Sequence, residues 1–238
     1  MMKKPERDKM KKISVYMTFT ALLIISGCKV EDIVAELGSS EISAKAKVGE
    51  VLNKAKSDFS GDSKLAAIYG WNVNNEGKID LLKPTEKAFV YVVQSDSVAA
   101  ANPSDANQFY VPVYNSTPVR SPINFGNMLS LIKDQGASEI MGRIVGKLAT
   151  ISIDASASYD DSPQVLTKMF ARSDVSTFRL NNPDTKIDMF LLPSKSVDST
   201  SVNNSVDWIV NFYGTSTSLV LWLHPGTVNG TIKNLNEL

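Results

Sequence analysis

Apolar positions recur at helical spacing between Lys45 and Phe59, where Val48, Val51, Leu52, Ala55 and Phe59 form one stripe. Gly61 and Asp62 stop that helix. Strand formers follow: Leu65 to Val73, then Lys78 to Leu82 after an Asn74-Asn75-Glu76-Gly77 turn. Ala88 to Gln94 is almost wholly apolar and suits a central strand. Ser95 to Asn107 reads as a polar connection, and Gln108 to Tyr114 as a further strand. Pro112 has no N–H to donate, which places it at an edge or a bulge. The apolar residues from Asn124 to Val145 predict a helix pair broken near Gly136, and Lys147 to Ala155 alternates as a strand does. Ser162-Pro163 opens a helix running through Arg172. Three strands are predicted at Thr185 to Leu192, Val206 to Tyr213 and Ser218 to His224, with a short fourth inside Gly226 to Asn234.

The pattern is a helix before an antiparallel meander, twice. The predicted class is therefore α+β: units at residues 45–115 and 162–238, joined by a helical connector with one strand at 116–161. An internal repeat supports the doubling. Asn74 to Asp80 matches Asn181 to Asp188 with one insertion, each followed by a proline (Pro84, Pro193). AFVYVVQ corresponds to DWIVNFY, and QFYVPVY to SLVLWLH. A helix followed by a meander carrying Trp-x-Val (Trp71 to Val73, Trp208 to Val210) resembles PepSY-like domains of bacterial envelope proteins. That resemblance implies a fold and a protein- or peptide-facing role, such as modulating an envelope protease; it carries no activity.

Upstream lies a different kind of text. Lys3, Lys4, Arg7, Lys9, Lys11 and Lys12 form a basic head before the mostly apolar run Ile13 to Ile25. A membrane-crossing helix needs about 20 apolar residues, so this shorter run reads as a secretory signal. Met10-Lys11-Lys12 offers a second, tidier start for it. Ile25-Ser26-Gly27-Cys28 resembles the lipobox of bacterial lipoprotein precursors. The resemblance implies removal of residues 1–27 by cleavage after Gly27, and lipidation of Cys28. Residues 28–44 then form a tether. Lys29 stands where enterobacterial lipoproteins retained at the inner membrane commonly carry aspartate, which implies an outer membrane address where there is one. Lys29-Val30-Glu31-Asp32 loosely resembles the export signal of some Bacteroidetes surface lipoproteins. Two or more acyl chains anchor stably where one does not.

Composition narrows the chemistry. The 238 residues carry 25 basic and 25 acidic side chains, and removal of residues 1–27 leaves 19 basic and 23 acidic. A nucleic-acid binder needs the opposite balance. One cysteine excludes a disulfide framework, one histidine excludes a multi-histidine metal centre, and no cofactor is implied. His224 is expected to end a strand and bond a turn carbonyl, since no Gly-x-Ser-x-Gly elbow accompanies it. Asp154, Asp160 and Asp161 lack the spacing of a calcium loop and read as a solvated acidic loop. Asp80 and Asp188, at matching places in the repeat, are expected to share a structural job facing solvent. Tyr91, Tyr110, Tyr114 and Tyr213 are candidates for an exposed binding face; the alternative is that both faces of the strands are covered. The expectation is a lipid-anchored, non-enzymatic binding or scaffolding module of the envelope. Its partners are the membrane, through the lipid, and an envelope protein or peptide. The alternatives are an envelope-polymer hydrolase using carboxylates that the sequence does not identify, and a small-solute-binding lipoprotein with a cavity.

Overall fold

A computed structural model describes residues 40–83, 86–114, 116–120, 151–201 and 204–235. Cys28, the signal segment, most of the tether and the helix pair expected between Asn124 and Val145 lie outside the described residues.

The described chain is an α+β body. Its elements are β1 (Glu41–Ser43), α1 (Val48–Asp58), β2 (Lys64–Trp71), β3 (Lys78–Asp80), β4 (Ala88–Gln94), α2 (Asp96–Ala101), β5 (Asn107–Val113) and β6 (Ser116–Arg120). Then come α3 (Ser162–Phe170), α4 (Ser173–Asn181), β7 (Lys186–Pro193), α5 (Ser194–Val197), β8 (Val206–Tyr213), β9 (Ser218–His224) and β10 (Thr231–Asn234). Eight strands form one sheet in the order β10-β9-β8-β7-β2-β4-β5-β6, every neighbour antiparallel. Two four-stranded meanders thus meet where β2 pairs with β7, through Ile68↔Leu191, Tyr69↔Phe190 and Gly70↔Met189.

Both faces of this sheet are buried. On one face α1 (Val51, Ala55), α3 (Val165, Leu166, Met169) and α4 (Val175) join Ile68, Phe89, Met189, Trp208 and Phe212. The other face holds Tyr69, Val92, Phe109, Phe190, Ile209 and Trp222, with Val197 of α5 half-buried beside them. Burial on both sides explains why the central strands read as continuous apolar runs instead of alternating ones. Each large side chain fully buried in this way contributes roughly 1.5–3 kcal/mol.

Some elements depart from the sequence reading. The end of the expected tether is built into the fold: β1 pairs with β3, Ile42 against Ile79, and Ala44 is fully buried. The repeated Lys-Ile-Asp occupies two unlike places, β3 of this two-stranded sheet and the start of β7 in the main sheet; the first strand of the first meander is instead β2. β4 and β8 are each second in their meanders, and β5 and β9 third. The polar connection after β4 contains a short helix, because Ser95 Oγ accepts from Val98 N–H ahead of an alanine run. Helix α4 and edge strand β6, with Pro118 inside it, were not anticipated. Pro112 sits at the irregularity between Val111 and Val113, so of the two positions open to it the bulge is the one found. The strand expected through Ala155 is irregular over residues 151–155. β7 ends at Pro193, before reaching Leu65, and the Leu65 carbonyl accepts a 2.6 Å bond from Ile153 N–H instead.

The Asn74–Gly77 turn is fixed by the helix it touches. Gly77 has φ 75°, and a Cβ there would lie 2.6 Å from the Ser162 backbone. Ser162 Oγ donates to the Gly77 carbonyl at 2.6 Å and accepts from Ala44 N–H at 3.0 Å. Asp161 caps α3 and accepts from Ser43 Oγ at 2.5 Å and Lys45 N–H at 3.0 Å.

Candidate functional site

An open groove of the described surface runs along α1. That helix carries two stripes. Val51 and Ala55 point into the core and are fully buried. Val48, Leu52 and Lys56, four residues apart, lie on the neighbouring stripe, with Lys45 just ahead of the helix. Opposite stand Leu65 at the start of β2 and the irregular segment carrying Ile153, Ala157 and Tyr159. Between them lies a groove of about 750 Å³. This volume is within the range of small-molecule sites.

The groove has an apolar floor and charged ends. Val48 and Leu52 are half-buried, while Leu65 and Ile153 are 5% and 6% exposed. At one end the Lys45 ammonium sits 4.2 Å from the Tyr159 ring centroid and donates to the Tyr159 carbonyl. Burial pushes the Tyr159 hydroxyl pKa up. At the other end Lys64 pairs with Asp96 at 2.6 Å, and that hydrogen bond raises the Lys64 pKa. Lys56 is exposed and makes no ion pair among the described residues. Asp154, the groove's carboxylate, accepts from Ser156 N–H and Oγ at 2.8 and 2.5 Å, which holds its pKa low.

A second group of polar residues lies within the sheet. Asp207 and His224 are one step beyond the Trp208↔Leu223 pair, so the β8–β9 hairpin places them directly opposite. Asp207 is fully buried. Its Oδ1 accepts from Ser194 Oγ at 2.6 Å and lies 2.7 Å from His224 Nδ1; its Oδ2 accepts from Trp222 Nε1 at 2.7 Å. Burial raises the Asp207 pKa and the three partners oppose that shift. His224 therefore bonds a buried carboxylate, not the expected turn carbonyl. A carboxylate at Nδ1 is the arrangement that orients an imidazole with Nε2 free to accept. Yet Ser194 is directed at the same carboxylate oxygen and not at the imidazole as an activated nucleophile would be.

Asp188 is the second buried carboxylate, 2% exposed where a solvent-facing position was expected. It accepts from Asn72 N–H at 2.8 Å, Tyr69 O–H at 3.0 Å and Tyr213 O–H at 3.3 Å. Burial pushes its pKa up to about 6 against those three bonds. Asp80, by contrast, is half-exposed in β3 and bonds Leu82 N–H at 3.0 Å, so the two do not share a job. Asp188 lies opposite Asn211, four residues along β8 from Asp207. At roughly 3.4 Å per residue the two carboxylates are about 14 Å apart along the strand. Carboxylate pairs that cleave glycosidic bonds stand roughly 5–10 Å apart.

The proposed tyrosine face is corrected. Tyr91 and Tyr110 are fully buried, Tyr213 is 5% exposed, and Tyr114 is half-buried against the core. The Tyr91 hydroxyl donates to the Ala44 carbonyl at 2.9 Å, and that of Tyr213 to Asp188. The acidic loop is also more than solvated: Asp161 is a helix cap, and the Asp160 carbonyl accepts from Trp208 Nε1 at 2.9 Å. Among the described residues no group of three or more His, Cys, Asp and Glu is placed to hold a metal ion. Nor is any described helix long and apolar enough to cross a membrane.

Two site features escaped the sequence reading. Counting outward from the Gly214–Thr217 turn pairs Asp207 with His224, and that register was available in the sequence. The groove was not, because its far wall is an irregular segment brought to α1 from about 100 positions away. No protein-family model, curated protein or solved structure matches this chain.

Proposed function

We propose that this chain is a lipid-anchored cell-envelope protein of the non-enzymatic binding type, with the α1 groove as its binding site. Cys28 carries the reading: the chain's one cysteine stands behind a basic head, an apolar run and Ser26-Gly27. The mature domain hangs from lipid on Cys28 after cleavage at Gly27, at the outer membrane where the host has one. Its net negative charge gives it no attraction to an anionic leaflet, so the lipid alone holds it there. The PepSY-like reading is supported by the two helix-preceded, four-stranded halves of the sheet. A binding role is favoured over catalysis because the buried carboxylates are engaged and far apart, whereas the groove is open. An envelope protein or peptide remains the expected macromolecular partner.

The test is radiolabelled palmitate in the native host. Wild-type protein takes up label and fractionates with membranes, and Cys28→Ser does neither. Unlabelled wild-type protein recovered from the cytosol with its first residues intact overturns the reading.

A further inference from the structure

The groove's lining selects among ligands, an argument that rests on the binding role proposed above. The side chains of Val48, Leu52 and Ile153 in its lining offer no hydrogen-bonding group, while Ser63, Ser152 and Asn204 are among its polar members. A hydrocarbon chain laid along Val48, Leu52 and Ile153 has no polar group to satisfy there. The lining carries three cations, Lys45, Lys56 and Lys64, against one carboxylate, Asp154, in a domain whose mature charge is net negative. The three cations are not equivalent. Lys45 is engaged by the Tyr159 carbonyl and ring and Lys64 by Asp96 at 2.6 Å, whereas Lys56 projects without an ion-pair partner among the described residues. From Val48 to Lys56 the helix rises about 12 Å, enough for a medium-length chain to lie along it.

We propose that the groove binds a linear aliphatic carboxylate, its chain along Val48 and Leu52 and its carboxylate at Lys56. The alternation of apolar and cationic positions on this stripe of α1 is what recognises it. Val48 and Leu52 supply affinity through the methylenes they cover, about fourfold for each one buried. Lys56 supplies the discrimination between an anionic and a cationic head.

The experiment is calorimetry on the full chain from residue 28, unlipidated through Cys28→Ser, with probes below their micelle concentrations. Dodecanoate binds about tenfold or more tighter than octanoate, and tighter than dodecyltrimethylammonium. Lys56→Glu weakens dodecanoate roughly fivefold, and Lys56→Glu with Lys64→Glu weakens it further. Both side chains are exposed, so folding is preserved; Lys186→Glu, at the far end of β7, leaves binding unchanged. Equal binding of dodecanoate and dodecyltrimethylammonium, or equal dodecanoate affinity in wild type and the double variant, overturns the proposal. If the groove fails in this way while palmitate still labels the chain through Cys28, the ligand class falls and the anchor stands. If dodecanoate binds as described but palmitate never labels the chain, the ligand class stands and the anchor falls.

Discussion

The α1 groove and the polar networks inside the sheet contain similar residue types under opposite conditions. In the networks, each carboxylate gathers three donors and is shut from water: Asp207 with Ser194, His224 and Trp222, and Asp188 with Asn72, Tyr69 and Tyr213. In the groove, Lys56 stands in solvent without an ion pair among the described residues, above half-buried Val48 and Leu52. Removing one partner from a sealed network strands buried polar groups; changing an exposed cation leaves the fold alone. A cluster of titratable residues is therefore a poor guide to a site unless some of its hydrogen-bonding capacity is open to a ligand. Here the networks hold the sheet together and the groove faces outward.

The largest effect should come from Asp207→Ala. It leaves the Ser194 hydroxyl and the Trp222 indole N–H buried without their acceptor, a loss on the order of 3 kcal/mol in urea unfolding. A loss below about 1 kcal/mol would mean that the network does not tie β8 to β9.

Asp188 gives an effect nearly as large, visible through pH. Its native pKa of about 6 lies above the ordinary 3.8, so the folded protein holds this proton more tightly than the unfolded chain. The stabilisation this confers is complete below about pH 4 and is lost as pH rises through about 6, some 3 kcal/mol in all. Asp188→Asn removes the dependence. The difference in stability between wild type and variant should therefore shift by nearly that amount between about pH 3 and pH 8, and parallel curves would contradict it.

Trp222→Phe keeps an aromatic ring but removes one donor to Asp207. About 1.5 kcal/mol of destabilisation is expected by thermal or urea unfolding. The smallest effect on stability belongs to Lys56→Glu, within about 0.5 kcal/mol of wild type, even as dodecanoate affinity falls. A large change here would show that Lys56 belongs to the fold and would erase the contrast between the two regions.

Much of this architecture could be read from residue spacing, and the failures have local causes. Helices α1 and α3 stand out because their apolar positions match the helical period, and strands β4, β8 and β9 because each is a short, mostly apolar run rich in strand formers. β6 and α4 escaped because one is a short edge strand with Pro118 and the other exposes Leu180 at 82%. The tyrosines misled because alternation indicates that Tyr91 and Val92 face opposite ways without saying that both ways are buried. The Lys-Ile-Asp repeat misled because identical short text took two strand environments, a two-stranded flap and a central strand. His224 was read without its partner, since Asp207 is distant in sequence and adjacent only through the hairpin register. The groove depends on residues 152–159 lying beside α1, a contact with no local sequence signature.

The central claim is that ligand is met at the α1 groove and not at the buried carboxylates. A ¹⁵N–¹H NMR titration of the full chain from residue 28, carrying Cys28→Ser, with dodecanoate tests it most directly. The account predicts shifts at the backbone amides of Val48, Leu52, Lys56, Ile153 and Ala157, while the indole N–H of Trp222 stays in place. Movement of the Trp222 indole signal with the α1 amides unmoved would contradict it.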